Sequence, residues 1–176
     1  MSWKRAIPWV VLFVAVAIFA IDRLVPGGGS GRAAAGADGR AAGLVTRVVD
    51  GDTVHVRIDG SDERVRYIGV DTPESVKPGT PVQCYAKRAA AANAALVAGR
   101  SVRLVGDVEQ RDRYGRLLAY VYREPDGAFV NAQLVRDGYA RTLTIAPNVA
   151  HAQQFAQLAR TARRSGRGLW RACAMG

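Results

Sequence analysis

Three carboxylates and two guanidinium groups stand close together in the middle of the chain. Asp52 lies in Val48-Val49-Asp50-Gly51-Asp52-Thr53, and Asp71, Thr72 and Glu74 lie in Val70-Asp71-Thr72-Pro73-Glu74. Arg66 precedes Asp71 by five residues, and Arg116 closes a later run, Asp112-Arg113-Tyr114-Gly115-Arg116. Two carboxylates, a backbone carbonyl and water make an oxygen-only donor set of the kind Ca2+ accepts. A third carboxylate near such a cation can orient or deprotonate a water for attack on phosphorus. Guanidinium is planar, permanently charged and able to hold a phosphate through two hydrogen bonds. Two of them could neutralise the charge that builds on the phosphoryl oxygens during attack. The combination is suited to metal-assisted cleavage of a phosphodiester. Taken singly each residue has a plainer reading, Asp50-Gly51-Asp52 as a turn and Glu74 as a loop residue; it is the set that carries the chemistry.

The elements that must position these residues are mostly β. Leu44 to Val49 and Thr53 to Ile58 are rich in β-branched residues, with the Asp50-Gly51 turn signal between them. Asp59 to Asp62 is a second turn, and Arg64 to Val70 reads as a third strand ended by Pro73. Glu74 to Pro81 is a loop. The alanine-rich Tyr85 to Ala98 predicts a helix with Gly99 just past its end. Ser101 to Val105 and Arg116 to Arg123 follow as strands, separated by a polar loop over Gly106 to Gly115. Asp126-Gly127 turns the chain into Ala128 to Val130. Asn131 is expected to cap a short helix closed by Gly138, and Pro147-Asn148 to open a last helix reaching Ser165. Phe155, Leu158 and Ala162 supply that helix's apolar stripe, and Leu169-Trp170 should pack back on the core.

Ahead of this lies a different kind of sequence. Lys4 and Arg5 precede an uncharged apolar run from Ala6 to Ile21, which defines residues 1–25 as a signal anchor or signal peptide. The basic flank would keep the N-terminus cytoplasmic and send the rest across. No clean cleavage site follows, which favours a retained anchor over secretion after cleavage. Residues 26–43, rich in Gly and Ala, read as a flexible linker, and the folded domain is expected over 44–173. The chain has 176 residues and a formal charge of +10; residues 44–176 hold 20 Lys and Arg against 13 Asp and Glu, a net of +7. A domain basic in its own right favours a polyanion, either nucleic acid or an anionic membrane surface. Cys84 and Cys173 are an even pair in a chain with an export signal, so a disulfide is expected, with two free thiols the alternative. No Cys/His cluster has zinc spacing. His55 and His151 stand alone and receive no role.

Asp50-Gly51-Asp52-Thr53, Arg66 with Val70 to Glu74, and Asp112 to Tyr120 resemble the signatures of the staphylococcal nuclease family. Asn131-Ala-Gln-Leu-Val135-Arg-Asp-Gly138 and Gly168-Leu169-Trp170 fit it too, so the resemblance spans Leu44 to Cys173. It implies an α+β, mainly β fold: a five-stranded OB-fold barrel with three helices, here preceded by an N-terminal hydrophobic helix. It implies a calcium-dependent nuclease, expected as a monomer, that hydrolyses DNA or RNA and leaves 3′-phosphate ends. Asp52, Asp71 and the Thr72 carbonyl would be the Ca2+ ligands, Glu74 the general base, and Arg66 and Arg116 the phosphate holders. Tyr114 and Arg113 are expected to shape the substrate site. The chain departs from the family's founding member at Arg141 to Pro147, which lacks its nucleotide-binding tyrosines, and in a shorter loop over Ser75 to Pro81. Two other readings compete: a non-catalytic OB-fold module that binds nucleic acid at the cell envelope, and an envelope domain whose basic face meets anionic lipid.

Overall fold

The computed structural model describes residues 40–74, 79 and 81–173. The expected leader, most of the linker and most of the 75–81 loop lie outside the described residues. Among those described, no helix is long and apolar enough to cross a membrane.

β1 (Arg40–Val48), β2 (Thr53–Ile58) and β3 (Ser61–Tyr67) form an antiparallel meander. β5 (Ser101–Val105) returns beside β1, and β6 (Leu117–Arg123) pairs with β5. The sheet then closes on itself, because β6 also runs parallel to β3, with Val65 opposite Leu117 and Arg66 opposite Leu118. The result is the expected five-stranded OB-fold barrel. A small hairpin strand, β7 (Ala128–Phe129), extends β6, and a separate two-stranded ribbon joins β4 (Val70–Asp71) to β8 (Arg141–Thr142).

The alternation of the strands explains the core. Val54, Val56 and Ile58 point inward while Arg57 points out; Val65 and Tyr67 do the same on β3. They meet Val102, Leu104, Ala119 and Val121 from the strands across the barrel. Helix α1 (Ala86–Val97) buries Ala86, Ala89, Asn93 and Val97, whereas α2 (Val130–Arg136) contributes Val130, Leu134 and Val135. α3 (Ala152–Arg164) covers α2 through Phe155, and a single turn, α4 (Leu169–Ala172), docks Leu169 into the core.

Several boundaries differ from those expected. β1 begins at Arg40 rather than Leu44, because Arg40 to Gly43 pair with Val105 to Val102 of β5. A β-partner holds small residues in a strand that their composition alone would leave unstructured. The third strand stops at Tyr67, where Gly69 at φ 78° turns the chain, and it resumes as β4. Among the described residues a single-turn helix, α4, follows the last glycines and adds to the three expected helices. α3 begins at Ala152, and Asn148 is not its cap: its side chain clamps the backbone of Glu109, accepting from the N–H at 2.7 Å and donating to the carbonyl at 2.9 Å. Asn131 is likewise no cap. It lies inside α2, fully buried, where its oxygen accepts from Val121 N–H at 2.9 Å and its amide donates to the Ile68 carbonyl at 2.9 Å. The sequence predicts a cap at Asn131 and a helix start at Pro147-Asn148, but backbone groups elsewhere take both asparagine side chains.

Candidate active site

Asp52 sits at the β1–β2 turn. The Asp50 carboxylate accepts from the Asp52 N–H at 3.0 Å and pins the turn. The Asp52 side chain is nearly buried and fully engaged. Oδ2 accepts from the Thr72 N–H at 2.8 Å and the Thr72 hydroxyl at 2.9 Å, and Oδ1 lies 3.1 Å from the Thr53 hydroxyl and 3.2 Å from Arg66 Nε. One carboxylate thus ties the β1–β2 turn to the Asp71-Thr72 segment, twenty residues on. The two backbones come so close that a Cβ on Gly51 would lie 2.7 Å from the Thr72 side chain. Thr72 is therefore held by its N–H and hydroxyl, which leaves its carbonyl out of this network.

Arg66 is the hub. Nη1 donates to the Val70 carbonyl at 2.8 Å and to the Tyr67 carbonyl at 2.9 Å, fixing the plane of the guanidinium. Nε meets Asp52, and Nη2 donates to Asp71 Oδ1 at 3.2 Å. Asp71 is the more accessible of the two carboxylates, its side chain 53% exposed against 6% for Asp52. Partial burial pushes the Asp71 carboxyl above its ordinary range; Arg66 opposes the shift, Asp52 adds to it, Arg141 opposes it and Glu74 adds to it. Burial and the neighbouring Asp52 likewise push Asp50 up to about 6. Glu74 is thus electrically coupled to Asp71, and its backbone N–H is held by the Gln83 side chain at 2.9 Å.

A buried chain of hydrogen bonds sets this arrangement from beneath. The Tyr67 hydroxyl donates to Asn93 Oδ1 at 3.0 Å, and the Asn93 amide donates to the Asp50 carbonyl at 2.9 Å. Residue 67 follows the hub arginine, residue 50 belongs to the Asp52 turn, and Asn93 comes from α1, so the helix sets the spacing between them. Burial drives the Tyr67 phenol far above its ordinary value, which keeps it a donor.

Arg116 reaches the same place from the start of the neighbouring strand, β6. Arg66 and Leu118 are partners on the parallel β3–β6 pair, so Arg116, two residues before Leu118, approaches on the same face. Both arginines line one cavity of about 490 Å3, with Tyr114, Leu118, Leu143 and Ile145 among its walls. Asp112 aims Arg116: its Oδ2 accepts from Nε at 2.6 Å and its Oδ1 from the backbone N–H groups of Arg116 at 3.0 Å and Tyr114 at 2.9 Å. Tyr114 is 68% exposed, with the Arg113 guanidinium 4.8 Å and that of Arg116 5.5 Å from its ring centre. Arg113 Nη2 also lies 2.7 Å from the Tyr114 hydroxyl.

Asp52, Arg66, Asp71 and Thr72 are therefore joined by direct contacts, Glu74 acts on Asp71 through its charge, and Arg116, Arg113 and Tyr114 share a cavity with Arg66. The reading of the residues did not assign roles to Asp112, Asn93, Tyr67 or Gln83. Of these only Asp112 left a local signal, its i, i+4 spacing from Arg116. Where tyrosines were missed in the sequence, Leu143 and Ile145 form an aliphatic wall. Among the described residues no three His, Cys, Asp or Glu side chains group into a metal cage. The Asp52 and Asp71 carboxylates, the Thr72 carbonyl and the Glu74 carboxylate still make up an all-oxygen donor set. Hard oxygen donors of this kind, with no soft or nitrogen ligand among them, fit a hard cation.

The family model described as Staphylococcal nuclease homologue matches residues 64–172. The thermonuclease of Staphylococcus intermedius is 43% identical over 127 residues, 72% of this chain and 74% of that protein. The thermonuclease of Staphylococcus hyicus is 40% identical over 126 residues, 72% of this chain and 73% of its own. The SPbeta prophage-derived endonuclease YokF of Bacillus subtilis is 40% identical over 126 residues, 70% of this chain but 42% of that longer protein. Barrel, cavity and relatives together define an OB-fold nuclease. The chain belongs to the staphylococcal nuclease family.

Proposed function

We propose that this nuclease hydrolyses DNA or RNA with the help of Ca2+ and leaves 3′-phosphate and 5′-hydroxyl ends. The observation that carries the reading is Arg66, bonded to both Asp52 and Asp71 while lining the cavity it shares with Arg116. Asp52, Asp71 and the Thr72 carbonyl are the groups that would hold the cation. When bound, it would supply Lewis-acid stabilisation of the phosphoryl oxygens. Glu74 takes a proton from the attacking water, whose oxygen bonds to phosphorus as the P–O5′ bond breaks; the departing 5′ oxygen takes a proton from solvent water and leaves as a hydroxyl, and Glu74 later returns its proton to solvent. Arg116, held through Nε by Asp112, donates to the phosphoryl oxygens, and Arg66 Nη2, whose partner Asp71 is exposed, can turn to do the same. Tyr114 and Arg113 flank the scissile group.

The test is digestion of single-stranded DNA and of RNA with Ca2+, with EDTA, and with Glu74→Gln. Activity should require Ca2+ and fall by about 100-fold or more in the variant, the usual scale for a lost general base. Equal rates in all three conditions would defeat the mechanism. We further propose that the domain acts outside the cytoplasm, held by residues 1–25 or released after their cleavage; N-terminal sequencing of the mature protein decides which. The bond between Cys84 and Cys173 supports an oxidising compartment.

A further inference from the structure

Beyond Asp137 the described chain, residues 138–173, contains six arginines and no aspartate or glutamate. They are Arg141, Arg160, Arg163, Arg164, Arg167 and Arg171, and all are exposed. Among the described residues, every arginine–carboxylate ion pair lies at or before Arg136–Asp137. Arg103, Arg111, Arg116 and Arg123 each have a carboxylate, whereas none of the six beyond forms an ion pair with one among the described residues. Arginines left without carboxylates over a continuous surface are open to an anion from outside.

The surface is joined to the active site. In the β4–β8 ribbon Arg141 is the direct partner of Asp71, and its charge is felt there. Its guanidinium lies 5.9 Å from the centre of the Trp170 ring, and the Arg163 guanidinium lies 5.6 Å from the same ring. Trp170 Nε1 is the one buried side-chain N or O atom without a partner among the described residues. From Arg163 the row continues along α3, where Arg160, Arg163 and Arg164 stand at i, i+3 and i+4, Arg163 on the flank and the other two opposite the buried Phe155 and Ala162. Arg167 follows just past the helix end, its Nη1 on the Arg136 carbonyl at 3.2 Å.

We infer that this arginine row, starting at Arg141 and running past Trp170 onto α3, is a docking track for the phosphates of a nucleic-acid strand on one side of the scissile bond. The inference rests on the nuclease reading and adds to it: the enzyme's substrate is a polymer held over several nucleotides, not only at the bond it cuts. Guanidinium pairs with phosphate through two donors, and an indole beside it offers a stacking surface to a base. An anionic membrane is the poorer partner. Interfacial helices present an apolar face to lipid, and the apolar face of α3, with Phe155 and Ala162, is already buried against its neighbours, chiefly α2.

The experiment uses the full-length protein, a trinucleotide and a single strand of about 40 nucleotides. In the double variant Arg163→Gln/Arg164→Gln, kcat/KM for the long strand should fall by about tenfold at low salt, while the trinucleotide is cleaved at the unchanged rate. Arg163→Lys/Arg164→Lys should restore most of the loss. Anisotropy with the long strand on the Glu74→Gln background should show a log–log salt slope about 1.4 shallower in the double variant, at about 0.7 for each lost contact with a single strand. Equal losses on both substrates, or an undiminished rate on the long strand, would overturn the track. So would lost binding to phosphatidylglycerol vesicles with long-strand kinetics unchanged, which would give the surface to lipid. If the unaltered protein cleaves neither substrate, the nuclease reading fails. The anisotropy slopes then judge the track alone, and identical slopes reject it.

Discussion

Asp112 shows how much of the site depends on residues that never touch substrate. It accepts three hydrogen bonds, two from backbone N–H groups of its own loop and one from Arg116 Nε. Burial pushes its carboxyl up, but the hydrogen bonds from the Arg116 side chain and from the Arg116 and Tyr114 N–H groups outweigh it, and the net value lies below the ordinary range. A carboxyl whose folded value is depressed stabilises the protein above its unfolded value, near 3.9, and that contribution is lost as pH falls through the folded value. Asp112→Asn should therefore cost about 1–3 kcal/mol near neutral pH, and the gap to the unaltered protein should narrow as the pH approaches 3. Urea titrations across that range read it. The same variant leaves Arg116 unaimed, so its nuclease rate should drop while binding of a long strand is kept. A stability difference independent of pH would mean that the charge is not what holds the loop.

At the level of elements, the junction between barrel and helices depends on Asn131. Its side chain satisfies the Val121 N–H on β6 and the Ile68 carbonyl at the β3–β4 turn, with the Ala119 carbonyl at 3.4 Å. The turn it holds carries Gly69, where a Cβ would lie 2.5 Å from the Phe155 ring, so α2, α3 and the Arg66-to-Asp71 connection meet at one point. Asn131→Ala should cost about 2–4 kcal/mol, because buried backbone groups lose their partners and gain no water. The urea midpoint should fall with no change in the slope of the transition. A loss under about 0.5 kcal/mol, the range of ordinary surface substitutions, would show that the turn is held by packing alone.

Across the whole molecule the bond between Cys84 and Cys173 links the segment before α1 to the end of α4, 89 residues later. Most of the barrel's second half and all of α2 and α3 lie inside that loop. Closing a loop of this size removes freedom from the unfolded chain and typically stabilises by about 2–4 kcal/mol. Reduction, or Cys84→Ser, should lower the thermal midpoint accordingly, measured with and without reductant; an unchanged midpoint would show that Leu169 and the α4 turn hold the C-terminus unaided.

Much of this was legible before any coordinates. The barrel strands showed in runs of β-branched residues, and the candidate site residues showed in three short motifs, because a turn and the carboxylate it presents lie within a few residues of each other. The pairing of β3 with β6 could not be read locally, and that contact alone brings Arg116 beside Arg66. Nor could the tasks of Asn131 and Asn148, since an asparagine before a helix looks like a cap until the buried groups around it are known. Composition assigned Arg40 to Gly43 to the linker because it carries no information about the strand waiting across the sheet. By itself the sequence determined which residues were available for chemistry and which segments would be strands and helices, for these follow from side-chain type and spacing. The tertiary structure decided which residues meet and which arginines are neutralised, because closing a barrel couples positions fifty residues apart and only contact in space assigns a charge its partner.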